Sequence, residues 1–241
     1  MGLTVSSGGG DSESLQPGRY KATCYKIIDA GTRMESYQGG AERKRTLVYL
    51  YWEASHIQMG EDGEEFWDDI AMSDGRPFSI SKKYTASLDD RATLHIDLKS
   101  WRGKPFSADD LKAFKLANLL GKTCELEVIG YQKPDGNDGV AVEGVYKPDG
   151  GVKSVKTENE QVAFDLDKYM LEFTGQSCEE SKAMCDIYED MPSWMKEMIE
   201  DSFELKAAKE QGSSQPAPGP NKSGGLADFS KDDPNDGDVP F

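Results

Sequence analysis

The stretch FSISKKYTASLDDRATLHIDLKSWRGKPFSADDLKAFKLANLLGK, residues 78–122, decides how the rest of the chain is read. Ser79 to Thr85 is rich in β-formers and carries Lys82, Lys83 and Tyr84 side by side. Ser87-Leu88-Asp89-Asp90 has the form of a capping box, with Asp in place of the usual Glu. Leu94, Leu98 and Trp101 follow at helical spacing and share one face, which favours Trp101 as a core residue over a base-stacking residue flanked by Arg102 and Lys104. Gly103 and Pro105 end that helix. Ser107 is placed to cap a second one, with Asp109 and Asp110 in its first turn, where the helix dipole favours negative charge. Leu111, Phe114, Leu119 and Leu120 supply its apolar positions, and Gly121 is a stop. A helical insert between the third and fourth of about five strands predicts a mainly β chain built on a five-stranded OB-fold barrel.

Working outward, Leu15 to Asp29 predicts a first strand after the Pro17-Gly18 turn. Residues 30–44 predict a long Gly-containing loop, which in an OB-fold flanks the ligand groove. It holds Arg33, Tyr37, Arg43 and Lys44. Arg45 to Ala54, RTLVYLYWEA, is the clearest strand. By the period of two, Thr46, Val48, Leu50 and Trp52 point inward, and Arg45, Tyr49 and Tyr51 fall on the outer face. That outer face is where an OB-fold stacks bases. The alternative is that the tyrosines pack under a loop or against a C-terminal helix. Thr123 to Tyr131 alternates again, and Gly139 to Tyr146 returns as the fifth strand after the Lys133-Pro134-Asp135-Gly136 turn. Pro192 opens a helix bearing Trp194, Met195, Met198, Ile199 and Phe203, read as a docking helix over the barrel.

The organisation that follows is an arm at 1–14, the barrel at 15–150, an accessory segment with its helix at 151–210, and a disordered linker and acidic tail at 211–241. Net charge is −16 over 241 residues. Residues 1–157 hold 21 Lys+Arg against 24 Asp+Glu, and residues 158–241 hold 7 against 20. The acidity therefore belongs mainly to the C-terminal third, and the front can carry a basic face. No apolar run approaches the roughly 20 residues that cross a bilayer, and the start lacks a secretory signal, so a cytoplasmic setting is expected. Four cysteines without CxxC spacing and two histidines argue against zinc and for reduced thiols. The acidic run GEDGEEFWDD, residues 60–69, reads as a solvated hairpin tip; a metal-dependent nuclease built on it is the enzymatic alternative. No nucleophile elbow, phosphate loop or dinucleotide fingerprint is present, so no catalytic residue, cofactor or metal is expected.

The blocks SWRGKPF (100–106), LANLLGK (116–122) and the Pro-Ser-Trp helix at 192–199 resemble phage and prophage single-stranded DNA-binding proteins with an OB-fold, over roughly residues 15–205. The resemblance implies sequence-tolerant binding of single strands in phage replication, recombination or repair. Stacking would fall to Tyr49, Tyr51 and Tyr84, and backbone contacts to Arg33, Arg43, Lys44, Arg45, Lys82, Lys83, Arg102 and Lys104, with Tyr37 beside them. The ending LADFSKDDPNDGDVPF is similar to the tip of bacterial single-stranded DNA-binding proteins. That similarity implies docking of replication or recombination proteins through Asp232, Asp233, Asp236, Asp238, Val239, Pro240 and Phe241. A homo-oligomer is compatible with this, as is an acidic adaptor or DNA mimic that binds no DNA.

Overall fold

The computed structural model describes residues 14–36, 40–59, 65–68, 71–148 and 157–213. The chain is mainly β, with a largely antiparallel sheet and helices packed on it. Tyr37, the 60–64 half of the acidic run and the tail from 214 onward lie outside the described residues.

Two long strands form the centre. β1 (Gly18–Glu35) and β2 (Arg43–Met59) pair antiparallel from Tyr20↔His56 to Glu35↔Arg43, so most of the expected loop at 30–44 is strand. β3 (Glu65–Asp68) extends the β2 edge. β4 (Ser79–Thr85) lies on the other part of β2, with Tyr49 opposite Lys83 and Leu47 opposite Thr85. β5 (Thr123–Gln132) pairs with the N-terminal part of β1, and β6 (Asp138–Tyr146) pairs with β5. β7 (Val162–Phe164) runs parallel to the middle of β1. Between β4 and β5 lie α1 (Thr93–Arg102), α2 (Ala108–Ala113) and a short 3-10 turn at Leu116–Leu119.

The period of two divides β2 between two cores. Val48, Leu50 and Trp52 face inward with Leu94, Leu98 and Trp101 of α1 and with Cys124, Leu126 and Val128 of β5. The Trp101 indole N–H donates to the Thr123 carbonyl at 2.8 Å, which fixes it as a core residue. Leu47 and Tyr49 face the other way, into a second core made with α3 (Leu166–Met170), α4 (Glu179–Glu189), α5 (Ser193–Glu200) and α6 (Phe203–Ser213). Met195, Ile199 and Leu205 are each 0 % exposed there. Each such side chain contributes about 1.5–3 kcal/mol of transfer free energy, so this layer is firmly seated.

Two devices fit the layer to the sheet. Gly31, at a bulge of β1, has φ +71°, and a Cβ there would lie 2.5 Å from the Ser202 Cβ. Only glycine allows both that backbone and that approach. The buried Glu53 carboxylate accepts from the Glu158 N–H, the Asn159 N–H and the Asn159 side-chain amide at 2.8–3.1 Å, tying the returning chain to β2.

Ser87 does not cap α1. Its hydroxyl accepts from the Asp89 N–H, and a further turn joins Asp89 to Ala92, so the helix begins at Thr93 with no side-chain cap. Local side-chain turns of this kind compete with helix initiation. Ser107 does cap α2, with the reciprocal Asp110 contact. Pro192 is the N-cap of α5 rather than its first residue, and α4 and α6 add to the single C-terminal helix expected.

Candidate nucleic-acid interface

The outer face of β2 is not an open platform. Tyr49 is 7 % exposed, beneath α5, with its ring 5.7 Å from that of Trp194. Tyr51 is half-buried against the helical layer, edge-on to Tyr25 at 6.4 Å. Burial raises both hydroxyls above the usual tyrosine pKa. Tyr84 points inward and is 2 % exposed; burial and Asp97 push its hydroxyl up as well. The expected exposure of Tyr49 and Tyr84 is thus corrected. The alternation assigned Tyr49 to the right face, and α5 covers that face; Tyr84 lies on the inward face of β4.

Lys82 is also withdrawn. Its ammonium donates to Asp97 at 2.7 Å and to the Glu143 carbonyl of β6 at 2.8 Å, and Tyr84 donates to the same Asp97 oxygen at 2.8 Å. This trio joins β4, α1 and β6 rather than facing a ligand. Arg102 donates to Asp110 at 2.8 Å and lies 4.3 Å from the Phe106 ring centroid. That bond is the main cause of an Asp110 carboxyl lowered to about 2. Lys104 is exposed beside Lys99, in a depression of about 710 Å³ on another side of α1.

The remaining cations converge at the end of the β1–β2 hairpin. Cross-strand pairing sets Arg33 opposite Arg45, Met34 opposite Lys44 and Glu35 opposite Arg43. Arg33 reaches across to the Met198 carbonyl of α5, and Lys44 lies 4.7 Å from the Phe203 ring centroid. Lys83 pairs with Glu35 at 3.1 Å. The Nε atoms of Arg33 and Arg45 are buried with no hydrogen-bond partner among the described residues. Beside this end runs a groove of about 1110 Å³, walled by Arg45, Lys83 and Thr85 on one side and by Asp89, Asp90, Arg91 and Thr93 on the other. The uncapped first turn of α1 opens at that wall, and its dipole favours an anion there.

Arg91 escaped the sequence reading, and Trp194 and Phe203 were read there only as part of the packing face of the docking helix. Arg91 lines the groove. Trp194 is 47 % and Phe203 40 % exposed, the one against Tyr49 and the other beneath the Lys44 ammonium. Only Met195 and Ile199 of α5 form its buried stripe; Trp194, one residue before Met195, is rotated about 100° away from it. A stripe drawn through 195 and 199 alone would have set Trp194 apart.

The residues from Asp232 to Phe241 that the sequence reading expected to dock partners lie outside the described residues. No group of three or more His, Cys, Asp or Glu suited to a metal occurs among the described residues, and no described helix is long and apolar enough to cross a membrane. Comparison with known proteins returned no matching family model, no matching curated protein and no matching solved structure.

Proposed function

We propose that this chain binds single-stranded DNA without sequence preference, on an OB-fold whose interface has moved to the end of the β1–β2 hairpin. The OB assignment rests on connectivity. β1, β2 and β4 form a meander, α1 and α2 follow, and β5 returns beside β1 with β6 as its hairpin partner. Lys82 reaching the Glu143 carbonyl links β4 to β6, the two strands that closure of a five-stranded barrel would join. The observation that carries the functional reading is a groove lined by Arg45, Lys83 and Arg91, with Arg33, Arg43 and Lys44 on the hairpin end beside it, in a chain of net charge −16. Phosphates would lie along these cations and against the first turn of α1. Coating of single strands during phage replication, recombination or repair, in the host cytoplasm, extends this proposal through the sequence resemblance. Recruitment of partner proteins by the tail extends it in the same way.

The patch is moderate, because Glu35 already neutralises Lys83 and Asp89 and Asp90 line the far wall. Binding through about three cations gives a log–log salt slope near −2, at roughly −0.7 per phosphate of a single strand. The test is an anisotropy titration of labelled single-stranded and duplex DNA at several salt concentrations. The expected result is preference for the single strand, and for Arg43→Ala/Arg45→Ala a slope reduced by about 1.4. Duplex bound as well as single strand, or no binding at low salt, would reject the proposal.

A further inference from the structure

An exposed indole is unusual on a helix whose Met195 and Ile199 are fully buried. Trp194 lies in the first turn of α5, is 47 % exposed, and is held from behind by Tyr49, whose ring meets it at 5.7 Å and 63°. Tyr49 cannot swing away, being 7 % exposed within the second core. The indole is thus buttressed on one side and open on the other. Its surroundings are charged in a particular way. Lys83 is the cross-strand neighbour of Tyr49, and Arg33 lies close enough to favour the ionised form of the Tyr49 hydroxyl. Arg45 pairs with Arg33 across the hairpin. The acidic groups near these cations include Glu35, which Lys83 already engages, Glu197, one turn along α5, Asp201, whose ionised form Arg33 favours, and Glu204, which accepts from the Thr32 N–H.

We infer that Trp194 is the base-stacking platform of this protein, taking an unpaired nucleobase while its flanking phosphates lie on Arg45 and Lys83. The inference rests on the nucleic-acid reading above and deepens it. A rigid aromatic face beside cations matches the two chemical parts of a single strand, a π-face and a phosphate. A duplex offers phosphates but keeps its base faces stacked, so Trp194 discriminates where the cations do not. The platform comes from the C-terminal layer, not from the barrel, and replaces the buried tyrosines of β2. Binding then requires residues 157–213 to be folded onto the sheet.

The test uses the full chain with dye-labelled oligothymidylate, together with Trp194→Ala and Trp194→Phe. Trp194→Ala should weaken single-strand binding by about five- to a hundredfold, and Trp194→Phe should restore most of it. Duplex affinity should change little in either. Oligothymidylate should quench the tryptophan emission of the wild type but leave that of Trp194→Phe nearly unchanged, a readout that a purely structural role would not give. Single-strand affinity equal in wild type and Trp194→Ala overturns the inference and leaves the functional proposal standing. Absence of wild-type binding overturns both. Should Trp194→Ala fail to fold, unquenched emission of wild type saturated with oligothymidylate overturns the inference on its own. Emission that responds to removal of residues 214–241, or to protein concentration, but not to DNA, assigns the platform to the chain's own tail or to a second copy and likewise overturns it.

Discussion

Replacing Asp97 by Ala removes the centre of the trio that joins β4, α1 and β6. Asp97 Oδ2 accepts from Lys82 at 2.7 Å and from Tyr84 at 2.8 Å, and the Lys82 and Asp97 side chains are 15 % and 10 % exposed. Breaking a buried ion pair from one side costs about 3–5 kcal/mol, because the other charge stays behind. A buried hydroxyl left without an acceptor adds about 1–3 kcal/mol. The two losses overlap, since Lys82 keeps the Glu143 carbonyl and can edge toward solvent. A net loss of about 3–5 kcal/mol is expected, a large share of the roughly 5–15 kcal/mol typical of a folded domain. Urea unfolding should show the midpoint falling by about 1–2 M at an m-value near 2–3 kcal/mol/M. Asp97→Asn keeps an acceptor and should lose less. Lys82→Met/Asp97→Leu, which removes both charges, should recover much of the loss. A loss under about 1 kcal/mol for Asp97→Ala, or a double variant no better than the single, would refute the assignment of the trio as a buried, mutually dependent seam.

Gly31→Ala meets both a left-handed backbone and the Ser202 contact at 2.5 Å, so it should destabilise by about 2–4 kcal/mol in thermal unfolding. Met195→Ala, at a site with 0 % exposure, should lower stability by about 2–5 kcal/mol and raise hydrogen exchange in α3 to α6 before the strands of the sheet. Alkali should unfold the chain: burial raises the Tyr169 pKa to about 12 and also raises those of Tyr49, Tyr51, Tyr84 and Tyr188. Because the folded values exceed the unfolded ones, that stability is full below about pH 10 and is lost as pH climbs through about 12. Absorbance at the phenolate band should therefore rise together with loss of circular dichroism; phenolate formation complete within the folded protein would contradict it. Truncation after Ser213 removes 5 Asp against 2 Lys and should strengthen single-strand binding most at low salt. A gain independent of salt would count against charge competition.

Much of the sheet was legible because it rests on short-range periodicity. Val48, Leu50 and Trp52 alternate as required, as do Cys124, Leu126 and Val128, and all six are buried. Ser107 caps α2 as predicted, and Asp110 completes a capping box with it, because both partners lie within four residues. What periodicity cannot say is which surface is later covered. Tyr49 was assigned to its correct face, yet α5, about 145 residues further along, decides that this face is interior. The cations divided for the same reason. Lys82 and Lys83 are adjacent in sequence, but opposite faces of β4 send one to Asp97 and the other to the rim. Ser87 misled because a capping pattern and a side-chain turn use the same residue types.

The central claim, that one hairpin end and one indole form the nucleic-acid interface, is tested most directly by hydrogen–deuterium exchange with and without saturating oligothymidylate. Protection is expected at residues 31–36 and 43–47, at 83–94, and across the start of α5 around Trp194. No protection in these segments, or protection confined to Lys99–Phe106 or to the β5–β6 hairpin, would contradict the account.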